Sequence, residues 1–202
     1  MNFDTVRKFE EEVAKFYGAP YAVATDCCTH ALELCLRYVK PKHPLMIPNR
    51  TYISVPFTLE KLNLDWSFHK LPWDNYYSIL DTNIIDAAVF WEEGGYEPNT
   101  LMCLSFQYQK HLSLGRGGMI LTDNKEAAEE LRKMSYDGRT TDRPWREQDI
   151  STMGYHYYMT PETAQKGLDA LEEAKQREPR QWVWEDWPDL REMSVFKDYN
   201  KS

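Results

Sequence analysis

The sequence predicts an α/β fold, a mostly parallel sheet sandwiched by helices, and three observations carry that prediction. Short apolar, β-rich runs alternate with segments whose apolar residues recur every three to four positions. Glycine, proline and small polar residues punctuate the joins between them. At 202 residues and 42% hydrophobic content the chain can bury one core, and strands alternating with helices are the pattern of a sheet covered on both faces.

Residues 4–17 carry Phe9, Val13, Phe16 and Tyr17 at helical spacing, and 18–20, Gly-Ala-Pro, stop that helix. Residues 21–25 form a short apolar strand, and 29–39 place Leu32, Cys35, Leu36 and Val39 on one helical face. The first unit is therefore strand, tight turn, helix. Residues 45–48 read as a brief buried strand, and 51–62 as a helix if Pro56 sits in its first turns. Strand-like runs follow at 64–69, 83–90, 101–106 and 118–122, with an aromatic, polar stretch at 73–81 that fits no period. A helix at 125–136 precedes a polar loop at 138–151 that contains Pro144. Thr160, Pro161 and Glu162 are an N-cap, a first-turn proline and a helix-start acid for a last helix ending near Arg177. The domain is thus expected over 1–177, with a tail at 178–202 that holds Trp182, Trp184 and Trp187.

A net charge of −8, from 32 acidic and 24 basic residues without a basic run, gives no footprint for nucleic acid or an anionic membrane. No apolar stretch approaches the roughly 18 residues that span a bilayer, and the acidic, amphipathic start does not read as a signal, so a cytoplasmic location is expected. Cys27, Cys28, Cys35 and Cys103 lack the spacing of a disulfide framework or a zinc site, and no metal is expected.

Lys110 follows the 101–106 run and precedes Gly115-Arg116-Gly117-Gly118. A lone lysine is normally a solvated charge, but apolar strands and a glycine turn would hold this one near the sheet, where a desolvated amine becomes a nucleophile for an aldehyde. Asp86 ends the run Ile84-Ile85. It is either a strand-end cap or a buried carboxylate that needs a cationic partner, such as a protonated pyridine nitrogen. The turn at 25–29, Thr-Asp-Cys-Cys-Thr, is an ordinary N-cap or a helix start whose amides, near Cys28 and Thr29, point at an anion. Ser105 can add a hydroxyl to that anion, and Tyr52 can lie flat on a heterocycle, although with 14% aromatic residues most rings here must simply pack. His30, His43, His69 and His111 show no ligand spacing and default to capping, surface or core roles.

In order along the chain, these segments resemble the DegT/DnrJ/EryC1/StrS family of aminotransferases that use pyridoxal 5′-phosphate (PLP). The carriers are 9–18 with Tyr21-Ala-Val-Ala, Thr29-His-Ala-Leu, Ile47-Pro48 with Thr51-Tyr52, the block Leu104-Ser-Phe-Gln-Tyr-Gln-Lys110 with Gly115 to Asp123, and Met153-Gly-Tyr-His-Tyr-Tyr-Met159. The resemblance implies a reduced aspartate-aminotransferase-like large domain, with Lys110 as the Schiff-base lysine and Asp86 as the carboxylate on the pyridine nitrogen. It further implies a phosphate held by Ser105, Thr29 and the Cys28 amide, a ring under Tyr52, and a homodimer in which the loop around His156 reaches the partner's site. The implied reaction is ping-pong amino transfer from glutamate to a keto-sugar nucleotide, with Lys110 moving the proton between the α-carbon and C4′ of the cofactor. A catalytically reduced PLP-binding module, or a PLP enzyme of different chemistry, stays open.

The chain departs from the family pattern at Val89 (for Gln or His), His156 (for Asn), Tyr158 (for Arg) and Cys28 (for Gly). A cysteine does not freely take positive φ, so the turn at Cys28 is either regular or strained. The stretch between His69 and Asn83 is too short for the family's strand and helix, and the usual C-terminal domain is expected to be missing.

Overall fold

The computed structural model describes residues 3–200. Helix α1 (Asp4–Tyr17) ends at Gly18, whose φ of 75° is the left-handed conformation that glycine adopts without a Cβ penalty. Then come β1 (Tyr21–Thr25), α2 (Cys28–Val39), β2 (Leu45–Pro48), α3 (Ser54–Lys61), β3 (Trp66–His69), β4 (Tyr77–Ser78), β5 (Ile84–Asp86), β6 (Leu101–Ser105) and β7 (Gly118–Thr122). Helix α4 (Lys125–Ser135) is capped by Asn124, and α5 (Pro161–Gln176) starts behind Thr160, whose hydroxyl accepts from the Thr163 amide. The α/β class is as the sequence predicts.

The parallel reading is corrected. The main sheet runs β1-β7-β6-β5-β4, and only its β5–β6 pair is parallel; β1–β7, β6–β7 and β4–β5 are antiparallel. A separate two-stranded sheet pairs β2 with β3 in parallel. Strands covered on both faces read as continuous apolar runs whichever way they point, so composition does not report direction. Residues 106–117 join β6 to β7 without a helix, and that return reverses the chain. The run at 83–90 also shortens to three strand residues. Asp86 ends it by accepting a hydrogen bond from the Ala88 amide at 3.1 Å, a local turn that competes with the ladder. The helix expected from 51 begins instead at Ser54, with Pro56 in its first turn.

Alternation along the strands divides the core. Val23, Ile84, Cys103 and Ile120 face α2 and α4, whereas Ala22, Ala24, Ile85, Met102, Leu104, Met119 and Leu121 face α1 and α5. Cys35 and Cys103 are buried free thiols 3.6 Å apart. Two buried carboxylates tie elements together. Glu10 of α1 accepts from the Ala24 amide at 2.8 Å and from Arg132 of α4 at 3.0 Å, and Arg132 also donates to the Ala22 carbonyl. Glu33 of α2 meets Arg37 at 2.9 Å and Lys61 of α3 at 2.8 Å, which offsets the desolvation of its charge. Past α5 the chain returns across the domain in 3-10 turns at Trp184–Asp186, Leu190–Glu192 and Ser194–Asn200, and Leu190 and Phe196 enter the same core as α2.

Gly118 marks the closest packing of sheet against turn. A Cβ there would lie 2.4 Å from the Cys27 carbonyl carbon and 2.5 Å from the Cys28 nitrogen, both backbone atoms that cannot swing aside. Gly118→Ala is expected to lower stability by about 2 kcal/mol, the scale of overpacking, measured by urea unfolding.

Candidate active site

The chain ends of β5 and β6, the start of α2 and the turn before α3 converge on a cavity of about 230 Å³. Cys27, Cys28, Thr29, Thr51, Tyr52 and Ser54 line one side of the chain order, and Asp86, Ser105, Lys110 and Trp187 the other. Three broader grooves of 550–580 Å³ lie elsewhere and hold neither Lys110 nor Asp86. Size does not select the site; convergent chemistry in a secluded space does.

Asp86 is buried at 6% exposure, and burial pushes its carboxyl above the ordinary aspartate range, against hydrogen bonds from Tyr77 and the Ala88 amide that pull it back. The Tyr77 hydroxyl donates to Oδ2 at 2.7 Å and itself sits 2.6 Å from the Thr51 hydroxyl. Strand β4 pairs Tyr77 directly with Asp86, which is how a two-residue strand delivers this donor. Lys110 is half-buried in the return loop, its amide donating to the Gln107 carbonyl at 2.8 Å. Burial lowers its ammonium below the ordinary lysine range, while the Cys28 and Asp86 charges oppose that fall. The amine is thus predisposed to its neutral, nucleophilic form.

One end of the cavity is the first turn of α2. Cys27 is its N-cap with φ −164°, an extended conformation open to any residue, and its side chain caps nothing. The turn is therefore regular and not strained at Cys28, and no side chain from the N-cap occupies the helix-start amides. The Thr29 hydroxyl lies 2.8 Å from that of Ser54. Ser105, half-buried at the end of β6, is close enough for the Gln107 amide to donate to it at 3.4 Å.

Of the candidate residues, Cys28, Thr29, Tyr52, Asp86, Ser105 and Lys110 are brought together in one cavity. Tyr52 is 53% exposed and meets Trp187 edge-on, with centroids 6.2 Å apart. His156 is not brought there; it is exposed and pairs with Asp137 at 3.0 Å. Val89 lines the wall without a polar side chain, as the sequence shows. Sequence reasoning missed Tyr77, Thr51, Ser54 and Trp187. Thr51 stood beside Tyr52 in a family-like segment without a role of its own, and the others had no local signal, because a tyrosine in an aperiodic stretch and a tryptophan in a tail look like packing residues. Beside the cavity, Asp26, Cys27 and His30 offer three ligand atoms within 4.8 Å, but Asp26 is already engaged by His30 at 2.6 Å and by Arg116 at 2.7 Å.

The model of the DegT/DnrJ/EryC1/StrS aminotransferase family matches residues 1–76 and 94–186. The chain belongs to this family. Asp86 and Tyr77 fall in the unmatched stretch 77–93, so their place in the site rests on geometry. An uncharacterized protein of Methanocaldococcus jannaschii is 32% identical over 220 aligned positions, covering 83% of this chain and 57% of that protein. Among solved structures, AtS13 from Actinomadura melliaura aligns with a TM-score of 0.75 at 22% identity, over 86% of this chain and 61% of its own. A family aminotransferase from Brucella abortus aligns with a TM-score of 0.69 at 18% identity, over 85% and 59%. At these identities the structures show the shared fold. The family member in hand therefore spans less than two thirds of the length of these relatives.

The opposition of Lys110 and Asp86 sets a sign. The carboxylate favours the ammonium, so Asp86→Asn moves the lysine's protonation further below the ordinary lysine range. The pH profile for borohydride trapping of an aldehyde on Lys110 is expected to shift its inflection downward in the variant, with the adduct located by mass mapping.

Proposed function

We propose that this chain is a PLP-dependent aminotransferase acting on a keto-sugar nucleotide, with glutamate as amino donor, and that it works as a homodimer with shared sites. The observation that carries this reading is a desolvated amine and a buried carboxylate lining one cavity that ends at an uncapped helix start.

The residues fit the cofactor. Lys110 supplies the amine for its aldehyde, and Asp86 supplies the acceptor for a protonated ring nitrogen. Burial disfavours the Asp86 charge, and a pyridinium N–H would be a cation that keeps the carboxylate ionised. Tyr77 and the Ala88 amide fix that carboxylate's orientation. The amides at the start of α2, with Thr29, Ser54 and Ser105, match a phosphate, which the helix dipole also favours. When bound, PLP supplies an electron-withdrawing ring that stabilises negative charge on a substrate carbon. With PLP bound, Lys110 would be the group that moves a proton between the substrate α-carbon and C4′, a role that its lowered proton affinity suits. Apolar Val89 and Leu32 keep water from this part of the cavity.

The sugar acceptor is supported by the relatives: one aligned structure is described as DesI in the presence of its TDP-sugar product. The homodimer reading is supported by exposed Trp145, Ile150 and Met153, apolar side chains of the segment that precedes the exposed His156 and that a second copy would cover. A non-catalytic PLP module is the second reading, favoured by Val89, which leaves its part of the cavity wall without a polar side chain.

Lys110→Ala is expected to lose the visible chromophore, the borohydride-reducible adduct and at least a thousandfold of amino transfer, roughly the scale of losing both a nucleophile and a general base. Bound PLP in the unmodified chain should convert to the pyridoxamine form with glutamate. Retention of the adduct in the variant refutes the assigned lysine, and a chromophore inert to amino acids favours the non-catalytic module.

A further inference from the structure

The tail beyond α5 carries a residue into the cavity. It is laid across the mouth by bonds on both sides of Trp187. Upstream, the Asn75 amide donates to the Trp182 carbonyl at 2.8 Å and the Trp184 amide to the Trp73 carbonyl at 3.0 Å. Downstream, the Leu190 amide donates to the Asn49 carbonyl at 2.8 Å, and the Asn49 side chain donates to Asp189 at 2.7 Å. Between them, the Arg50 guanidinium donates to the Trp187 carbonyl itself at 2.5 Å. The segment that holds Trp187 is thus fixed to the turn before α3 and to the 73–75 stretch.

Held this way, the Trp187 indole becomes a wall. The Lys110 ammonium nitrogen lies 5.8 Å from its ring centroid, within the range of a cation–π contact. Tyr52 meets it edge-on and Trp73 lies tilted at 6.3 Å, so two aromatic neighbours fix the plane of the indole. Its N–H is buried and has no acceptor among the described residues. A buried donor without an acceptor is destabilising, and such a group at a ligand cavity is explained when a ligand supplies the oxygen. Trp91 also lacks an acceptor, but it stacks on Phe16 against α1 and does not line the cavity that holds Asp86.

We propose that Trp187 is a ligand-contacting residue: its indole face packs on the flat heteroaromatic ring held at Lys110, and its N–H donates to an oxygen of that ligand. The recognised class is a planar, oxygen-bearing aromatic aldehyde. This inference rests on the cofactor reading above and assigns to the tail a direct part in cofactor affinity. The surface aromatic Tyr52 then serves as the brace behind Trp187 as well as a rim residue.

The test is absorbance titration of the full chain with PLP for Trp187→Phe, which keeps a ring and removes the donor, and Trp187→Ala, which removes both. Val195→Ala, a change at an exposed apolar side chain outside the cavity, is the control. Loss of the hydrogen bond is expected to weaken PLP about fivefold, and loss of the ring as well about tenfold or more. The induced circular dichroism of the bound chromophore should change in both variants and not in the control, a signature that loosened packing elsewhere would not give. Far-ultraviolet circular dichroism confirms that each variant is folded, and the Phe variant preserves the packing if the Ala variant unfolds. Unchanged affinity and unchanged induced signal in Trp187→Phe and Trp187→Ala overturn the proposal. Weakening in the Ala variant alone overturns the N–H contact and keeps the wall. If the unmodified chain forms no reducible adduct at all, the cofactor reading fails first, and that result is separate from either variant.

Discussion

The site depends on one constraint: the Asp86 carboxylate is taken out of water and must be held. An aspartate inside a protein either finds donors or gives up its charge. Here the donors are the Ala88 amide, supplied by the turn that ends β5, and the Tyr77 hydroxyl, supplied by the paired strand β4. The turn at 86–88 lets the chain leave the sheet just where its side chain is needed, and the two-residue β4 exists to place a tyrosine opposite it. Lys110 then arrives from β6, the parallel neighbour of β5, so the two titrating groups come from adjacent strand ends. Their mutual influence is electrostatic: each opposes the effect of burial on the other.

Much of this was legible in the chain, for reasons that differ by element. The bounds of α1, β1, β2 and β7 follow from amphipathic spacing or from apolar runs closed by turn residues, both local properties. Thr160 and Pro161 fixed the start of α5 because capping is also local. Strand direction was not legible, since Leu101–Ser105 and Gly118–Thr122 are equally apolar in either orientation and only the helix-free return between them makes the pair antiparallel. Lys110, Asp86, Thr29, Ser105, Cys28 and Tyr52 were found through context and resemblance, and the fold gathers them. His156 was expected to serve a partner's site, and within one chain it lies on the surface with Asp137.

What escaped notice shares a physical cause. Tyr77 acts through a cross-strand pair, Ser54 through a helix that starts later than its apolar pattern suggests, and Trp187 through a tail that reaches the cavity from more than a hundred residues beyond Tyr52. Each is positioned by long-range contact, and neither periodicity nor propensity records such contacts. The aromatic residues of the aperiodic stretch 73–81 were the least readable part of the sequence, yet Trp73 and Tyr77 form the back of the cavity.

The Glu10–Arg132 pair has a bearing on heredity of function as much as on folding. Because Arg132 grips Glu10 and the Ala22 carbonyl together, the N-terminal helix, the edge strand and α4 are riveted into a single block. That edge strand runs straight into the turn that starts α2. A lesion at Arg132, which does not line the cavity, would therefore be felt at the turn that starts α2, and a geneticist mapping loss-of-function alleles would find some at a residue remote from the cavity wall.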